Sequence, residues 1–278
     1  MAQILFVVHP EHPEALHIAR DAEKWLAARG HRIVYVDPRS YHGSEHFDLA
    51  VSLGGDGTML RTVGMSLATG MPVLGVNLGR LGYLTEVEVD GWKTALERFF
   101  DGDYRVAERM TLEVSVRQAL PATSGSAVGK PLLALNDIAV EKTVPGHTIR
   151  VSTAISDRPF VTYAADGILV ATPTGSTAYN LSVRGPILSP DLQAIVVTPV
   201  SPHMLFDRAL VLAPEEILRL QIEHPRPAVL VVDGITSATL MPGDSLTCRR
   251  SSSPARLVTF GERDFHSILR ARFHLADR

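Results

Sequence analysis

The chain has 278 residues, a hydrophobic fraction of 45% and a formal net charge of -3 from 27 basic and 30 acidic residues. This length predicts about two domains with buried cores. Because the two charge signs are well mixed, the composition argues against a nucleic-acid-binding or membrane-binding surface and favours a small ligand. The single cysteine, Cys248, cannot form an internal disulfide, and no cysteines and histidines have zinc spacing, so a reducing cytoplasm is the expected location. A metal site built from carboxylates remains open.

The first hundred residues predict an α/β domain. Short apolar runs predict four strands, at residues 4–8, 32–36, 49–53 and 71–76. Apolar residues at three- and four-residue spacing predict helices at residues 14–29, from the glycine turn to about residue 68, and at 92–100. Strands that alternate with helices indicate a mostly parallel sheet. The first apolar run follows no basic segment and is too short to span a bilayer, which favours a strand over a signal peptide.

The pattern changes at about residue 105 to an alternation of period two. Residues 112–117 and 149–154 are examples, and the alternation indicates a largely antiparallel β domain. Residues 263–273 have helical spacing again and are expected to pack back on the first domain. The predicted domains are therefore residues 1–102, 103–260 and 261–278. Residues 121–130, rich in small and polar side chains, are expected to form a mobile hairpin loop.

The turn Gly54-Gly55-Asp56-Gly57-Thr58 lies between the third strand and the helix after it. Its glycines let the backbone approach a ligand, and the start of the helix offers free N–H groups to an anion, which predicts a phosphate-binding turn. Asp56 would repel a phosphate unless it takes a proton or holds a metal ion; the alternative is a turn residue or N-cap. Arg61 lies near the same face and either meets Asp56 or a phosphate, or is solvated. The turn has neither the lysine of a P-loop nor the spacing of a dinucleotide-binding fingerprint.

A second glycine-containing loop, residues 77–85, follows the fourth strand. Ligands of parallel sheets collect at the carboxyl ends of the strands. This loop and the glycine turn are therefore expected to face the same crevice.

Two polar segments of the second domain are candidates for ligand binding. Asn136-Asp137 lies within an apolar strand predicted at residues 132–140, where the amide suits a base and the carboxylate a ribose diol, unless the pair closes a turn or bulge. The other segment, residues 166–179, contains four hydroxyl side chains, at Thr172, Thr174, Ser176 and Thr177. These hydroxyls either cap a helix or also bind a phosphate or sugar. Tyr179 either stacks on a base or ribose or belongs to the core.

Together these segments resemble the bacterial NAD kinase family. The matching motifs, in order, are the turn at residues 54–58, the loop at 77–84, the pair Asn136-Asp137, the run from Asp166 to Tyr179 and the segment 198–203. A GGDG turn alone is a weak indication, because diacylglycerol, sphingosine and 6-phosphofructo kinases have related turns. The combination is specific, and it covers essentially the whole chain.

The resemblance implies a kinase that transfers the terminal phosphoryl group of ATP, or of polyphosphate, to the 2′-hydroxyl of the adenosine ribose of NAD. Asp56 would be the general base, and a divalent cation such as Mg²⁺ would bridge the donor phosphates. The implied ligand contacts are Gly54, Gly55, Gly57, Thr58 and Arg61 in the first domain and Asn136, Asp137, His147, Asp166, Thr174, Thr177, Ala178, Tyr179 and Ser182 in the second. A homodimer or homotetramer is also implied.

Three positions depart from the family pattern. Asp137 stands where glutamate is usual, and its shorter reach is expected to weaken a ribose contact or bridge it through water. Ala164 stands where an arginine is frequent, so one phosphate contact is expected to be missing unless Arg150 or His147 replaces it. Arg184 lies in a segment where small residues are usual, and it either adds positive charge near the phosphates or points outward.

Two other functions fit parts of the pattern. A kinase with the same turn but a lipid or sugar acceptor is disfavoured by the hydroxyl run, by Tyr179 and by the lack of a membrane-binding patch. A non-catalytic NAD-sensing module is disfavoured by Asp56 and its flanking glycines. The sequence leaves open the donor, the preference between NAD and NADH, the oligomeric state and any feedback regulation.

Overall fold

The computed structural model describes residues 1–8, 12–37, 45–79, 82–119, 130–223, 225–261 and 264–275. The chain divides into two compact units. The first comprises Met1–Arg109 and Ser253–Arg278, and the second comprises Met110–Ser252. Residues 121–129 of the expected hairpin loop lie outside the described residues.

The strands are β1 Gln3–Val8, β2 Arg32–Val36, β3 Leu49–Gly54, β4 Val73–Asn77, β5 Val87–Glu88, β6 Arg105–Arg109, β7 Leu112–Arg117, β8 Leu132–Ala134, β9 Asp137–Lys142, β10 Ile149–Ile155, β11 Arg158–Ala165, β12 Gly167–Ala171, β13 Ile195–Val200, β14 Leu210–Leu212, β15 Leu218–Ile222, β16 Ala228–Val232, β17 Ile235–Leu240, β18 Ser245–Arg250 and β19 Ala255–Thr259. The α-helices are α1 Pro13–Ala27, α2 Asp56–Ser66, α3 Trp92–Phe100, α4 Tyr179–Ser182 and α5 Phe265–Phe273. The helices predicted in the first hundred residues are all present, with ends displaced by a few residues.

The first unit contains a seven-stranded sheet in the order β2-β1-β3-β4-β19-β6, with β5 also paired to β4. The strands of this sheet are parallel except β6, which runs antiparallel to β19. All six residues of β3 and all five of β4 are buried, as expected for parallel strands covered on both faces. The prediction of a mostly parallel sheet is confirmed.

The limits of the units differ from those expected at residues 102 and 260. β6 and β19 fall in the first unit because they complete its sheet, with Ala255 to Thr259 paired to Arg109 to Arg105. Period-two alternation does not reveal which sheet a strand joins. The helix α5 also belongs to the first unit.

The second unit contains two six-stranded sheets, in the orders β11-β10-β15-β18-β7-β8 and β14-β13-β12-β9-β16-β17. Every pairing in both sheets is antiparallel, as predicted. Side chains from both sheets, such as Val114 and Ile168, belong to one hydrophobic core.

The single strand predicted at residues 132–140 is wrong. β8 ends at Ala134 in one sheet and β9 begins at Asp137 in the other, so Leu135 and Asn136 form the connection where the chain changes sheets. The apolar residues on both sides hide this break because both strands are buried in the same core.

Among the residues that the structure describes, no helix is both long and apolar enough to cross a membrane.

Candidate active site

The glycine turn lies at the carboxyl edge of the parallel sheet. Gly54 ends β3 and is paired with Asn77, which ends β4. The loops that leave these two strands therefore start side by side, as expected. Gly55 is the N-cap of α2 and Asp56 is its first residue, so Asp56 is not the N-cap.

The Asp56 carboxylate is held by the second glycine loop. Its Oδ2 accepts a hydrogen bond from the backbone N–H of Tyr83, and its Oδ1 accepts one from that of Leu84, both at 2.9 Å. The guanidinium of Arg272 in α5 lies 3.5 Å from Oδ2. The side chain of Asp56 remains 31% exposed. The result is a fixed carboxylate that a ligand can still reach, which is the geometry that a general base requires.

The glycines around Asp56 serve two purposes. A Cβ on Gly82 would lie against Oδ1 of Asp56 and Oγ1 of Thr85, so glycine is needed for the loop to approach the carboxylate. At Gly55 and Gly57, by contrast, no described atom lies within 4 Å of an added Cβ. Both of these glycines are exposed, which leaves the outer face of the turn open to a ligand.

Of the other predicted residues of the first unit, Thr58 is buried and Arg61 is exposed on α2. Thr58 packs against Gly54, where a Cβ would meet its side chain. The cation that pairs with Asp56 is Arg272, which the sequence motifs do not include.

In the second unit, Asn136 and Asp137 are held by a half-buried aspartate, Asp233. Its Oδ2 accepts from the backbone N–H of Leu135 at 2.8 Å, and its Oδ1 accepts from those of Asn136 and Asp137 at 2.8 and 3.1 Å. These three bonds stabilise the connection between the sheets, so the turn interpretation of the pair is correct for its backbone.

Asp137 is 5% exposed and has acidic neighbours. Burial raises its pKa to about 7, and the charges of Asp233 and Glu141 add to the rise. Burial also raises the pKa of Asp233, against its backbone hydrogen bonds. Near neutral pH, Asp137 therefore exchanges between a carboxylate that accepts and a carboxylic acid that also donates.

The hydroxyl run is mostly satisfied within the chain. Thr172 accepts from Gly175 N–H at 3.0 Å, and Ser176 Oγ donates to Leu188 O at 3.2 Å. Thr177 Oγ1 donates to Thr174 O at 3.4 Å. The Oγ1 of Thr174 is buried and has no hydrogen-bond partner among the described residues. Thr174 is therefore the hydroxyl of this run that a ligand or a water molecule would satisfy with a hydrogen bond.

The helix that follows this run is short. Thr174–Thr177 forms a 3₁₀ turn and α4 has only four residues, with no side-chain cap. A helix this short has little dipole to offer a phosphate. The turn is instead placed by Gly175, where a Cβ would collide with the backbone of Asn136.

Tyr179 and Asp166 are each fixed by a residue of β9. The Tyr179 hydroxyl donates a hydrogen bond to Oε1 of Glu141 at 2.7 Å. Burial is the main cause that raises the pKa of Tyr179, and the hydrogen bond to Glu141 and its charge raise it further. Asp166 pairs with Lys142 Nζ at 2.8 Å. Both side chains are half-buried, so each presents a part that a ligand can contact.

Comparisons with known proteins address the whole chain. Residues 39–104 match the family model described as the ATP-NAD kinase N-terminal domain, and residues 135–260 match that of the ATP-NAD kinase C-terminal domain. The chain is 42% identical to the NAD kinase of Heliobacterium modesticaldum, with 98% of both chains covered, and 33% identical to that of Geotalea daltonii over the full length of both. The chain belongs to the NAD kinase family.

Solved structures in this family have the same fold. An NAD kinase from Archaeoglobus fulgidus in complex with ATP superposes with a TM-score of 0.73 at 26% identity, covering 98% of this chain and 97% of that one. A yeast NADH kinase complexed with NADH gives a TM-score of 0.84 at 24% identity, covering 100% and 89%, and at that identity it supports the fold alone.

Several residues predicted from the NAD kinase motifs lie on the surface of the second unit. His147 and Ser182 are exposed, and Ala178 is half-buried beside Tyr179. His147 lines a cavity of about 170 Å³ together with Lys142 and Arg226. The backbone N–H of Thr172 donates to Asn136 O at 2.9 Å, and Asp137 is paired with Ala171 across β9 and β12. The structure thus brings Asn136 and Asp137 next to the 172–179 segment, whereas His147 takes no part in these two contacts.

The departures from the NAD kinase pattern have different consequences. Asp137 is the buried acid described above, and Ala164 is half-buried on β11. Arg150, considered as a replacement for the arginine missing at position 164, is exposed and directly paired with Ala164 across β10 and β11. Arg184 is exposed and has a positive φ of 65°, so it lies in a tight turn.

Sequence reasoning missed four residues that hold candidate functional residues within their own units: Asp233, Glu141 and Lys142 in the second unit and Arg272 in the first. Asp233 precedes Gly234 between β16 and β17, and Asp-Gly is a recognisable hairpin turn. That signal predicts the turn but not the three hydrogen bonds that the side chain accepts from residues 135–137. For Glu141, Lys142 and Arg272 the sequence offers no local signal.

Proposed function

We propose that this NAD kinase family member converts NAD to NADP with ATP as donor and uses Asp56 as the general base. The observation that carries the proposal is the Asp56 carboxylate, which two backbone N–H groups fix beside an open glycine turn. The substrates are proposed from family membership, and the role of general base is proposed from the position of the Asp56 carboxylate.

The reaction needs a proton acceptor. The 2′-hydroxyl oxygen of the adenosine ribose forms a bond to the terminal phosphorus of ATP, and the bond from that phosphorus to the bridging oxygen of ADP breaks. The hydroxyl proton passes to Asp56, and ADP leaves with the bridging oxygen. A ribose hydroxyl hardly ionises at neutral pH, so proton removal by a positioned carboxylate accelerates the step.

The donor is assigned to the glycine turn. The open faces at Gly55 and Gly57 let phosphate oxygens approach the backbone N–H groups at the start of α2, an eleven-residue helix. Arg61, exposed one turn into the helix, is assigned to the same ligand.

A divalent cation such as Mg²⁺ fits this site as part of the donor. Among the described residues, no three His, Cys, Asp or Glu side chains are grouped as a metal site. Mg²⁺ is commonly held by substrate phosphates and water with few protein ligands, and here Asp56 is the carboxylate at the turn. When bound, the cation would offset the negative charge of the phosphates.

The acceptor is assigned to the second unit. Asn136 and Asp137 would hold the base and riboses, and Asp166 would contact the dinucleotide. The unpartnered hydroxyl of Thr174 supports a ligand there, because a buried polar atom without a partner is costly. Thr177, Ala178, Tyr179 and Ser182 complete the assigned set, with His147 as an outer contact.

Three finer expectations accompany the proposal. Polyphosphate is an alternative donor, because the open turn contacts phosphates rather than a nucleoside. A homodimer or homotetramer and a reducing cytoplasm follow from the family resemblance and from the lone, buried Cys248.

The test is an assay of NADP formation with NAD or NADH as acceptor and ATP, GTP or polyphosphate as donor. We expect NADP from NAD and ATP with the wild-type chain and with Asp101→Asn, which changes an exposed aspartate of the first unit. Absence of NADP with every donor, from folded protein, would overturn the proposal.

A further inference from the structure

Arg272 lies beside Asp56 although the sequence motifs do not connect them. Its Nη2 is 3.5 Å from Oδ2 of Asp56, and its guanidinium lies 4.9 Å from the centre of the Tyr83 ring. Tyr83 also donates its backbone N–H to the same carboxylate oxygen. Asp56, Tyr83 and Arg272 thus form one contact group at the glycine turn.

This contact group answers an electrostatic problem. A donor bound by the turn brings several negative charges close to Asp56, and like charges a few ångströms apart repel each other. The positive charge of Arg272 offsets that repulsion from within the same unit. Arg61, the cation that the motifs suggest, is exposed on α2, and the ion pair with Asp56 is made by Arg272 instead.

Arg272 also has the geometry to bind a phosphate. A guanidinium has five N–H donors in a planar fork, which suits phosphate oxygens. The 3.5 Å between Arg272 Nη2 and Asp56 Oδ2 is within the range of an ion pair but longer than a good hydrogen bond. The Arg272 side chain is also 33% exposed. The guanidinium can therefore contact a ligand phosphate while it stays beside Asp56.

Building on the proposed kinase function, we propose that Arg272 binds the terminal phosphate of the donor. Through its contact with Asp56 it also keeps the base oriented in the presence of that charge. The C-terminal helix α5 would thus supply a donor-binding residue to the site.

A simpler role for Arg272 is to anchor α5, since none of the nine residues of that helix is fully buried. The two roles predict different losses. An anchor that is removed loosens the helix and affects every nucleotide alike, whereas a ligand of the terminal phosphate affects ATP but not ADP.

The experiment measures ATP and ADP affinity by calorimetry with Mg²⁺ present, for the wild type, Arg272→Gln, Arg272→Lys and Arg270→Gln. The last variant makes the same charge change in the same turn of α5. We expect Arg272→Gln to weaken ATP binding about tenfold, the low end for a lost hydrogen bond to a charged group. ADP affinity should stay within about twofold, Arg272→Lys should restore part of the ATP affinity because it keeps the charge, and Arg270→Gln should match the wild type.

Equal weakening of ATP and ADP, or unchanged ATP affinity in Arg272→Gln, would overturn the assignment. If Arg272→Gln fails to fold, the difference between ATP and ADP in Arg272→Lys decides in the same way. NADP formation by the wild type is measured in parallel. A wild type that binds ATP but makes no NADP would refute the kinase function and leave the Arg272 measurement valid.

Discussion

Asp56 in the first unit and Asp137 in the second are two candidate functional aspartates with opposite surroundings. The Asp56 side chain is 31% exposed, accepts hydrogen bonds from two backbone N–H groups and forms an ion pair with Arg272. Asp137 is 5% exposed, and its charged neighbours are other acids, Asp233 and Glu141. The same side chain is thus presented as an accessible, charge-balanced carboxylate in one unit and as a buried acid of raised pKa in the other.

This difference indicates a division of labour. A proton acceptor must be reachable and must be held in one orientation, and Asp56 meets both conditions. A buried acid whose pKa is near 7 is suited to hydrogen bonding with a ligand, because it can accept or donate. We therefore propose that Asp56 takes the proton in the chemical step and that Asp137 binds the ligand.

The largest expected effect separates these two roles. Asp56→Asn keeps the shape but removes the proton acceptor, so kcat for NADP formation should fall about 10²- to 10⁴-fold. Steady-state kinetics on Asp56→Asn and Asp137→Asn side by side check this, because the second variant should mainly raise the KM for NAD. If both variants lost kcat to the same extent, the division of labour would be wrong.

The burial of Asp137 predicts a pH-dependent stability. Between the unfolded pKa of about 3.9 and the folded value of about 7, the folded chain keeps a proton that the unfolded chain has released. The free energy of unfolding should therefore fall as pH rises through this window. Asp137→Asn removes this titrating group. The free energy of unfolding of the variant minus that of the wild type should therefore be about 2 to 3 kcal/mol higher at pH 8 than at pH 5.

Urea unfolding at the two pH values measures this change. Asp207→Asn, which alters an exposed aspartate of the same unit, is the control and should show no such shift. A difference between Asp137→Asn and wild type that is independent of pH would mean that Asp137 titrates normally in the folded chain.

The orientation of Asp56 can be disturbed without changing Asp56. A Cβ at position 82 would press on its Oδ1, so Gly82→Ala should lower kcat roughly 10- to 100-fold by displacing the carboxylate. Gly79→Ala is a matched control in the same loop, where no described atom lies within 4 Å of the added carbon. Equal activity of the two variants would show that the contact with the loop does not position the base.

The smallest expected effect concerns the ligand-binding side. Tyr179→Ala should raise the KM for NAD by roughly 2- to 10-fold through loss of the ring, and Tyr179→Phe should raise it less, because only the bond to Glu141 is lost. Kinetics with NAD varied at saturating ATP measure both values. An unchanged KM for NAD in Tyr179→Ala would mean that Tyr179 has a purely structural role.

Local patterns predicted much of the fold and the place of the glycine turn at the carboxyl end of β3. The parallel sheet, the helices and the turn at residues 54–58 follow from periodicity and glycine spacing, which act over a few residues. The break at Asn136 was missed because it depends on Asp233, 97 residues further along the chain. Arg272 was missed for the same reason, since its contact with Asp56 exists only once α5 has joined the first unit.

The hydroxyl run shows a different limit. The sequence singles out residues 172–177 by their four hydroxyls, but it does not tell which hydroxyls are used internally. Ser176 bonds the distant residue Leu188, and Thr172 bonds both Leu135 and Gly175. Only the folded chain singles out Thr174 as the buried hydroxyl that lacks a partner among the described residues.

The most direct test of the central claim combines binding and turnover in Asp56→Asn. NAD affinity is measured by calorimetry, and NADP formation is measured in a single turnover with saturating ATP and NAD. We predict NAD affinity within about threefold of wild type and a rate reduced at least about 100-fold, because the variant removes the proton acceptor along with one backbone hydrogen bond and the charge beside Arg272. A single-turnover rate within a few-fold of wild type, with NAD bound, would contradict the assignment of Asp56 as the base.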